Sequence, residues 1–184
     1  MRGARRWPSR GFSLIETLVT LVLLSIGLLG LAGMQIKASV AQQESYQRAQ
    51  ALILAHDMAD RIAANKAQAA SYIGSDFGTG GVANCSGKLG SDLDLCEWGN
   101  ALRGTAETRS GGTVNTGTLV GGRACISLAV DTTGAAIAGQ YAVTVVWQGM
   151  TATQAPAVTC GKDQYGSDGL RRAVVALVQI ATLT

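Results

Sequence analysis

The chain has 184 residues, of which 47% are hydrophobic and 15% charged, a charged share well under the roughly 25% of soluble domains, and this excludes an ordinary disordered chain. Twenty-four Gly against two Pro, with three Trp, four Tyr and two Phe, describe a body with many turns rather than an aromatic core or a Pro-rich linker. The net charge is +3, but four of the fifteen basic residues, Arg2, Arg5, Arg6 and Arg10, fall in the first ten positions, and the other eleven face twelve acidic ones. The body is near neutral, so charge alone gives no case for nucleic acid.

From Phe12 to Met34 the sequence reads FSLIETLVTLVLLSIGLLGLAGM, with Glu16 as its only charge. At 1.5 Å per residue a helix of this length spans roughly 34 Å, enough for a bilayer core. Arginines precede the segment and no basic cluster follows it, so the positive-inside rule keeps the first residues cytoplasmic and sends the rest to the periplasm or exterior. A secretory signal peptide cut near Ser39, Val40 and Ala41 is the competing reading; the apolar run is too long for one and carries a carboxylate. The twin arginines Arg5 and Arg6 are followed by Trp7 and Pro8, which do not suit the folded-protein export route. A carboxylate inside hydrocarbon is costly without a counter-charge or a proton. Glu16 lies four residues after Phe12, one helical turn, so an amine freed at Phe12 is a cation that Glu16 of the same or an adjacent helix can neutralise.

Arg10, Gly11, Phe12, Ser13, Leu14, Ile15 and Glu16 form a basic leader ending in Gly before Phe, then an apolar helix with Glu at its fifth position. This resembles the class III signal of the type IV pilin and pseudopilin superfamily. The resemblance implies that a prepilin peptidase cuts between Gly11 and Phe12 on the cytoplasmic side and methylates the new amino-terminal Phe12. It also makes Glu16 the assembly charge. Gly27, Gly30 and Gly33, with Ser25 and Ala32, gather small residues in the outer half of the helix, suited to close packing or bending, or simply common in membrane helices. Major pilins often carry a proline there, and this chain does not.

Gln35 to Tyr72 contains no helix breaker, and the helix is expected to continue through it as an amphipathic segment. Val40, Ala49, Leu52, Ile53, His56, Ala59, Ile62 and Ala63 make its apolar stripe, with Glu44, Arg48, Asp57, Asp60, Arg61 and Lys66 mainly elsewhere. His56 is the only histidine, so a histidine-based metal cluster is excluded and the side chain is read as packed or interfacial. The stretch Asp57 to Asn65, together with the order of elements along the chain and Cys96-Glu97-Trp98, resembles the branch of minor pilins called type IV pilus modification proteins, PilV.

Residues 73–122 are rich in Gly, Ser, Thr and Asn, and only Leu93, Leu95, Trp98 and Leu102 keep helical spacing; they read as loop, one short helix, then loop. Strand patterns follow at Ala124 to Val130, Tyr141 to Trp147 and Ala173 to Ile180, with Tyr141, Val143, Val145 and Trp147 on one face. The expected fold class is therefore α+β and pilin-like. A leader (1–11), a transmembrane and assembly helix (12–34) and an amphipathic helix (35–72) precede a globular periplasmic domain (73–184), whose antiparallel β-sheet packs on the long helix.

Cys85, Cys96, Cys125 and Cys160 lie in the exported part, an even number in an oxidising compartment. Three pairings are open. Cys85 with Cys96 and Cys125 with Cys160 are preferred, since the first closes a short loop and the second ties a strand to the loop before the last strand. The spacing suits no zinc site and no catalytic motif is found, so neither metal, cofactor, small-molecule substrate nor enzymatic activity is expected. Asp92, Asp94 and Glu97 read as a solvated acidic turn rather than a calcium loop. Lys162, Arg171 and Arg172 read as solvated strand ends rather than a DNA contact.

The expected function is a minor pilin that enters a pilus by its helix and helps initiate or cap assembly. Its partners would be the prepilin peptidase, the inner membrane and other minor and major pilins. The chain would sit as a single-pass inner-membrane protein and then in the fibre at the cell surface. A minor pseudopilin of type II secretion, and an adhesin or DNA-receptor pilin, are the alternatives.

Overall fold

The structure, a computed structural model, describes residues 11–105 and 119–181; the basic leader before Gly11 lies outside the described residues. Two compact units divide the chain after Gln42.

Helix α1 runs from Leu14 to Ala64. In the first unit its residues are those of the apolar segment, and the large side chains from Leu14 to Ile36 are all exposed. In the second unit α1 buries Gln47, Ala51, Ala55, Met58, Ala59 and Ile62. This corrects the expected stripe. Ala59 and Ile62 belong to it, but Leu52, Ile53 and His56 face outward. Much of the bulk in this core comes from Tyr141 and Trp147 of the sheet and from Trp98; the helix meets it with Ala51, Ala55 and Ala59, which let the backbone come close, and adds Met58 and Ile62.

The α-helix ends at Ala64, eight residues before the expected Tyr72. Asn65 leaves the helical region (φ −106°, ψ 44°), and a 3-10 helix follows over Lys66–Tyr72. A donor on the Asn65 amide reaches the Tyr72 hydroxyl at 3.1 Å, and that hydroxyl donates to Asp94. The turn is thus fixed by tertiary partners that no local pattern shows.

The sheet has four antiparallel strands in the order β1-β2-β3-β4: Gly74–Phe77, Arg123–Val130, Ala136–Gln148 and Arg171–Gln179. Helix α2, Gly90–Leu102, lies between β1 and β2 in the chain. Alternation decides the faces. Ala124 and Ile126, then Tyr141, Val143, Val145 and Trp147, then Val174, Ala176 and Val178 enter the main core with α1, Tyr72 and Trp98. Val146, on the other face, is covered by Cys160 and Tyr165. Where β1 leaves the sheet, Gly78 has φ +83°, and a Cβ there would lie 2.7 Å from the Gly122 carbonyl oxygen and 3.0 Å from the Leu102 Cβ. Only glycine fits both demands.

Charged side chains join the elements of this unit. The Arg61 guanidinium bridges Asp57 of its own helix (3.2 Å) to Asp94 (3.1 Å) and Glu97 (3.0 Å) of α2, and the Trp98 indole N–H donates to the Leu54 carbonyl at 2.8 Å. Asp94 and Glu97 are therefore partners of a cation rather than a solvated turn. The basic strand ends are corrected as well. Arg171 is 1% exposed, and its guanidinium donates to Asp168 (2.7 Å) and to the carbonyls of Pro156 (3.1 Å), Val158 (2.5 Å) and Cys160 (2.9 Å). Arg172 pairs with Glu44 at 3.2 Å. A guanidinium has five donors in a plane, and both sites use several of them.

Candidate functional site

The amino-terminal junction is the region on which the chemistry converges. Gly11, Phe12 and Ser13 are non-helical, and α1 starts at Leu14. The Ser13 carbonyl accepts the N–H groups of Glu16 (3.0 Å) and Thr17 (3.2 Å), so Ser13 occupies the cap position of the helix. Ser13 and Glu16 are three apart, the spacing of a capping box. Among the described residues no atom lies within 4 Å of where a Gly11 Cβ would stand, and Phe12 is 79% exposed. Among the described residues nothing covers the Gly11–Phe12 peptide bond, which lies in non-helical backbone just before α1. Glu16 sits exposed in the first turn, where the free N–H groups favour a negative charge.

Beyond it the helix presents an apolar surface whose polar side chains are turned inward on the backbone. The hydroxyls of Thr17, Thr20 and Ser25 donate to the carbonyls of Leu14 (2.8 Å), Thr17 (2.8 Å) and Leu21 (2.7 Å), which suits a medium that offers no hydrogen bonds. At Gly27, Gly30 and Gly33 an added Cβ would meet nothing within 4 Å, leaving a smooth strip open to close approach by another helix. The helix is long and apolar enough to cross a membrane.

In the second unit the structure joins Cys85 to Cys96 and Cys125 to Cys160, with Cα atoms 5.7 and 5.9 Å apart. The first bond fastens the loop before α2 to that helix; the Asn100 amide secures the same loop by accepting from the Ala83 N–H (2.9 Å) and donating to its carbonyl (2.8 Å). The second bond fastens β2 to the segment that wraps Arg171. Among the described residues no group of three or more His, Cys, Asp or Glu could hold a metal ion, and His56 stands alone on the outer side of α1.

Two groups here were hidden from sequence reasoning. Burial works to raise the Glu44 carboxyl, but the Arg172 guanidinium and the N–H groups of Met150 and Thr151 outweigh it and hold it below the usual carboxylate value. Burial pushes the Tyr165 hydroxyl up to about 12, and it donates to the Gly121 carbonyl at 2.9 Å. Glu44 is one more charge on a polar stretch of helix and Tyr165 one aromatic in a loop, so neither stands out in the sequence.

Residues 8–32 match the family described as the prokaryotic N-terminal methylation motif, and residues 33–86 match the family described as type IV pilin Tt1218. No curated protein and no solved structure matches the chain. The two matches abut and together take in the junction, the whole of α1 and the loop to Cys85. They support the type IV pilin superfamily and, with the α+β fold of a long helix on an antiparallel sheet, a pilin or pseudopilin role. The methylation motif implies processing by a prepilin peptidase and assembly with other pilins. The apolar helix and the motif fit membrane anchoring and incorporation into a fibre.

Proposed function

We propose that this chain is a minor pilin of a type IV pilus, similar to PilV, which enters the fibre through its N-terminal helix and helps initiate or cap assembly. It acts as a structural subunit whose amino terminus is cut and methylated by the peptidase. Residues 1–11 are the leader; the segment from Phe12 to Met34 is the membrane and assembly helix, its amphipathic continuation runs onward to Ala64 and through the 3-10 turn to Tyr72, and residues 73–184 form the periplasmic domain. The amino terminus of the precursor is cytoplasmic, and the mature chain passes from the inner membrane to the pilus at the cell surface.

The observation that carries this reading is the Gly11–Phe12 bond, uncovered among the described residues, which lies in non-helical backbone four residues before the carboxylate of Glu16, at the start of a helix whose large apolar side chains are exposed. Cleavage and methylation leave a cation at Phe12 that a neighbour's Glu16 can neutralise. The match to a type IV pilin family across the Asp57–Asn65 segment favours the pilus over a secretion pseudopilus.

The test has two parts. Mass spectrometry of the membrane-extracted protein should find methylated Phe12 as the amino terminus, and Gly11→Val should leave an uncut precursor. Glu16→Ala should be cut and inserted, yet its ratio in sheared fibres to that in membranes should fall about tenfold or more at matched expression, because a buried cation without its partner costs on the order of 3 kcal/mol. A mature end near Gln42, or an unchanged ratio for Glu16→Ala, would refute the reading.

A further inference from the structure

Two buried polar atoms stand without a hydrogen bond at one end of the seam between α1 and the sheet. Among the described residues, the Gln47 Oε1 and the Trp147 indole nitrogen have no partner, although Gln47 is 8% and Trp147 2% exposed. Such atoms are rare in folded proteins, because taking a polar group out of water without replacing its bond is costly.

Both residues border the ion pair of Glu44 and Arg172. Gln47 lies three residues after Glu44, so the two are neighbours on one face of the helix. Trp147 is the β3 partner of Arg172 in the antiparallel ladder, and the side chains of such a pair project from the same face of the sheet. The ion pair itself has no donor to spare for Gln47. All five guanidinium N–H groups of Arg172 are engaged, by Glu44 and by the carbonyls of Thr151, Gly169 and Arg171. The two Glu44 oxygens are loaded unequally. Oε1 accepts from the N–H groups of Met150 and Thr151, the Thr151 hydroxyl and Arg172, whereas Oε2 accepts from Arg172 alone, at 3.3 Å. Oε2 therefore has room for a further donor.

We propose that this corner of the seam binds one water molecule, which accepts from the Trp147 indole N–H and donates to Gln47 Oε1 and Glu44 Oε2. The chemistry of the three groups selects the ligand. The indole offers only a proton and the two oxygens only lone pairs, so the occupant has to accept and donate at once. A metal ion or an ammonium group has nothing for the indole, and an anion has nothing for the oxygens. Water serves all three, and about three bonds is the usual number for a buried water. The direct fastening of Glu44 reaches β4 and the loop after β3; the water adds a joint from the first docked turns of α1 to β3 itself.

The first measurement uses the unaltered full-length chain in detergent, with isotope-labelled tryptophan. In a rotating-frame NMR spectrum the Trp147 indole proton should show a peak to water opposite in sign to the diagonal, where proton exchange gives the same sign. The Trp98 indole, whose N–H is taken by the Leu54 carbonyl, should show none, and Trp147→Phe assigns the signal. Urea unfolding supplies the second measurement. Gln47→Leu and Trp147→Phe should each lower the folding equilibrium constant about tenfold. The double variant should lose about fivefold less than the product of the two, because each change breaks the same bridge. Any cost of the smaller Phe ring is common to both backgrounds and cancels. Peptide mapping of the disulfides in each variant checks that the body has folded. Absence of the water peak at Trp147, an equal peak at Trp98, or losses that multiply in full would overturn the proposal. So would coupling without a water peak, which marks a direct bond from the indole to Gln47.

Discussion

Replacing Arg171 tests the claim that a buried cation organises the segment between β3 and β4. Arg171→Met keeps much of the side-chain volume but removes every donor to Asp168 and to the carbonyls of Pro156, Val158 and Cys160. Breaking a buried ion pair from one side costs about 3–5 kcal/mol, and a buried carbonyl left without a partner about 1–3 kcal/mol. Both figures need discounting here. The Asp168 side chain retains 25% of its exposure, and Pro156 and Val158 are half-buried, so water recovers part of each loss and only the carbonyl of buried Cys160 bears its full cost. The expected destabilisation is about 3–4 kcal/mol in total, the charge pair supplying the larger share. Urea unfolding of the full chain in detergent, followed by the fluorescence of Trp98 and Trp147, measures it. Arg171→Lys should fall between, because a single ammonium keeps the charge but cannot span a carboxylate and three carbonyls. A loss below about 1 kcal/mol for the Met variant, with both disulfides formed, would refute the reasoning, since that is the cost of losing an ordinary surface ion pair.

The two disulfides should differ in worth. Cys125–Cys160 closes 35 residues and Cys85–Cys96 closes 11, so chain entropy gives about 3.8 and about 2.8 kcal/mol respectively. Double Cys→Ser variants compared in the same unfolding assay should keep that order and leave membrane insertion intact. Tyr165 should ionise near pH 12 when phenolate absorbance is followed against pH. The folded state keeps this proton after the unfolded chain has lost it at about pH 10, so stability declines as pH rises from about 10 to 12 and levels off above. Tyr165→Phe should remove the absorbance change near pH 12.

Period and composition made the larger elements legible. The alternation through Tyr141, Val143, Val145 and Trp147 places β3 because both its faces are covered, and the structure extends it back to Ala136 along a hairpin that contains no apolar pattern. β1 is absent from the sequence reading because Gly-Ser-Asp-Phe has no strand character; pairing with β2 alone makes it a strand. The stripe on α1 was read from hydrophobicity, which ranks Leu52 and Ile53 above Ala51 and Ala55, whereas the sheet selects by size. Arg171 and Arg172 read as surface charges since their acceptors, three carbonyls and a carboxylate 128 residues away in the chain, exist only in the fold. At the junction, the pattern Gly11-Phe12 with Glu16 is local, so its spacing can be read directly; the start of the helix on the Ser13 carbonyl and the exposure of Phe12 belong to the structure.

The docked half of α1 is held at both ends by ion pairs, Glu44 to Arg172 at one and Arg61 to Asp94 and Glu97 at the other. Seventeen residues of helix separate them, about 26 Å along the axis. A body pulled through this helix would load both fastenings in shear at the same time, with the alanine-lined contact between them sliding only after both yield. Rupture then needs the summed strength of the two sets rather than that of the weaker one, so a seam in which alanine is half of the buried helix residues can bear a load that its apolar contact alone would not.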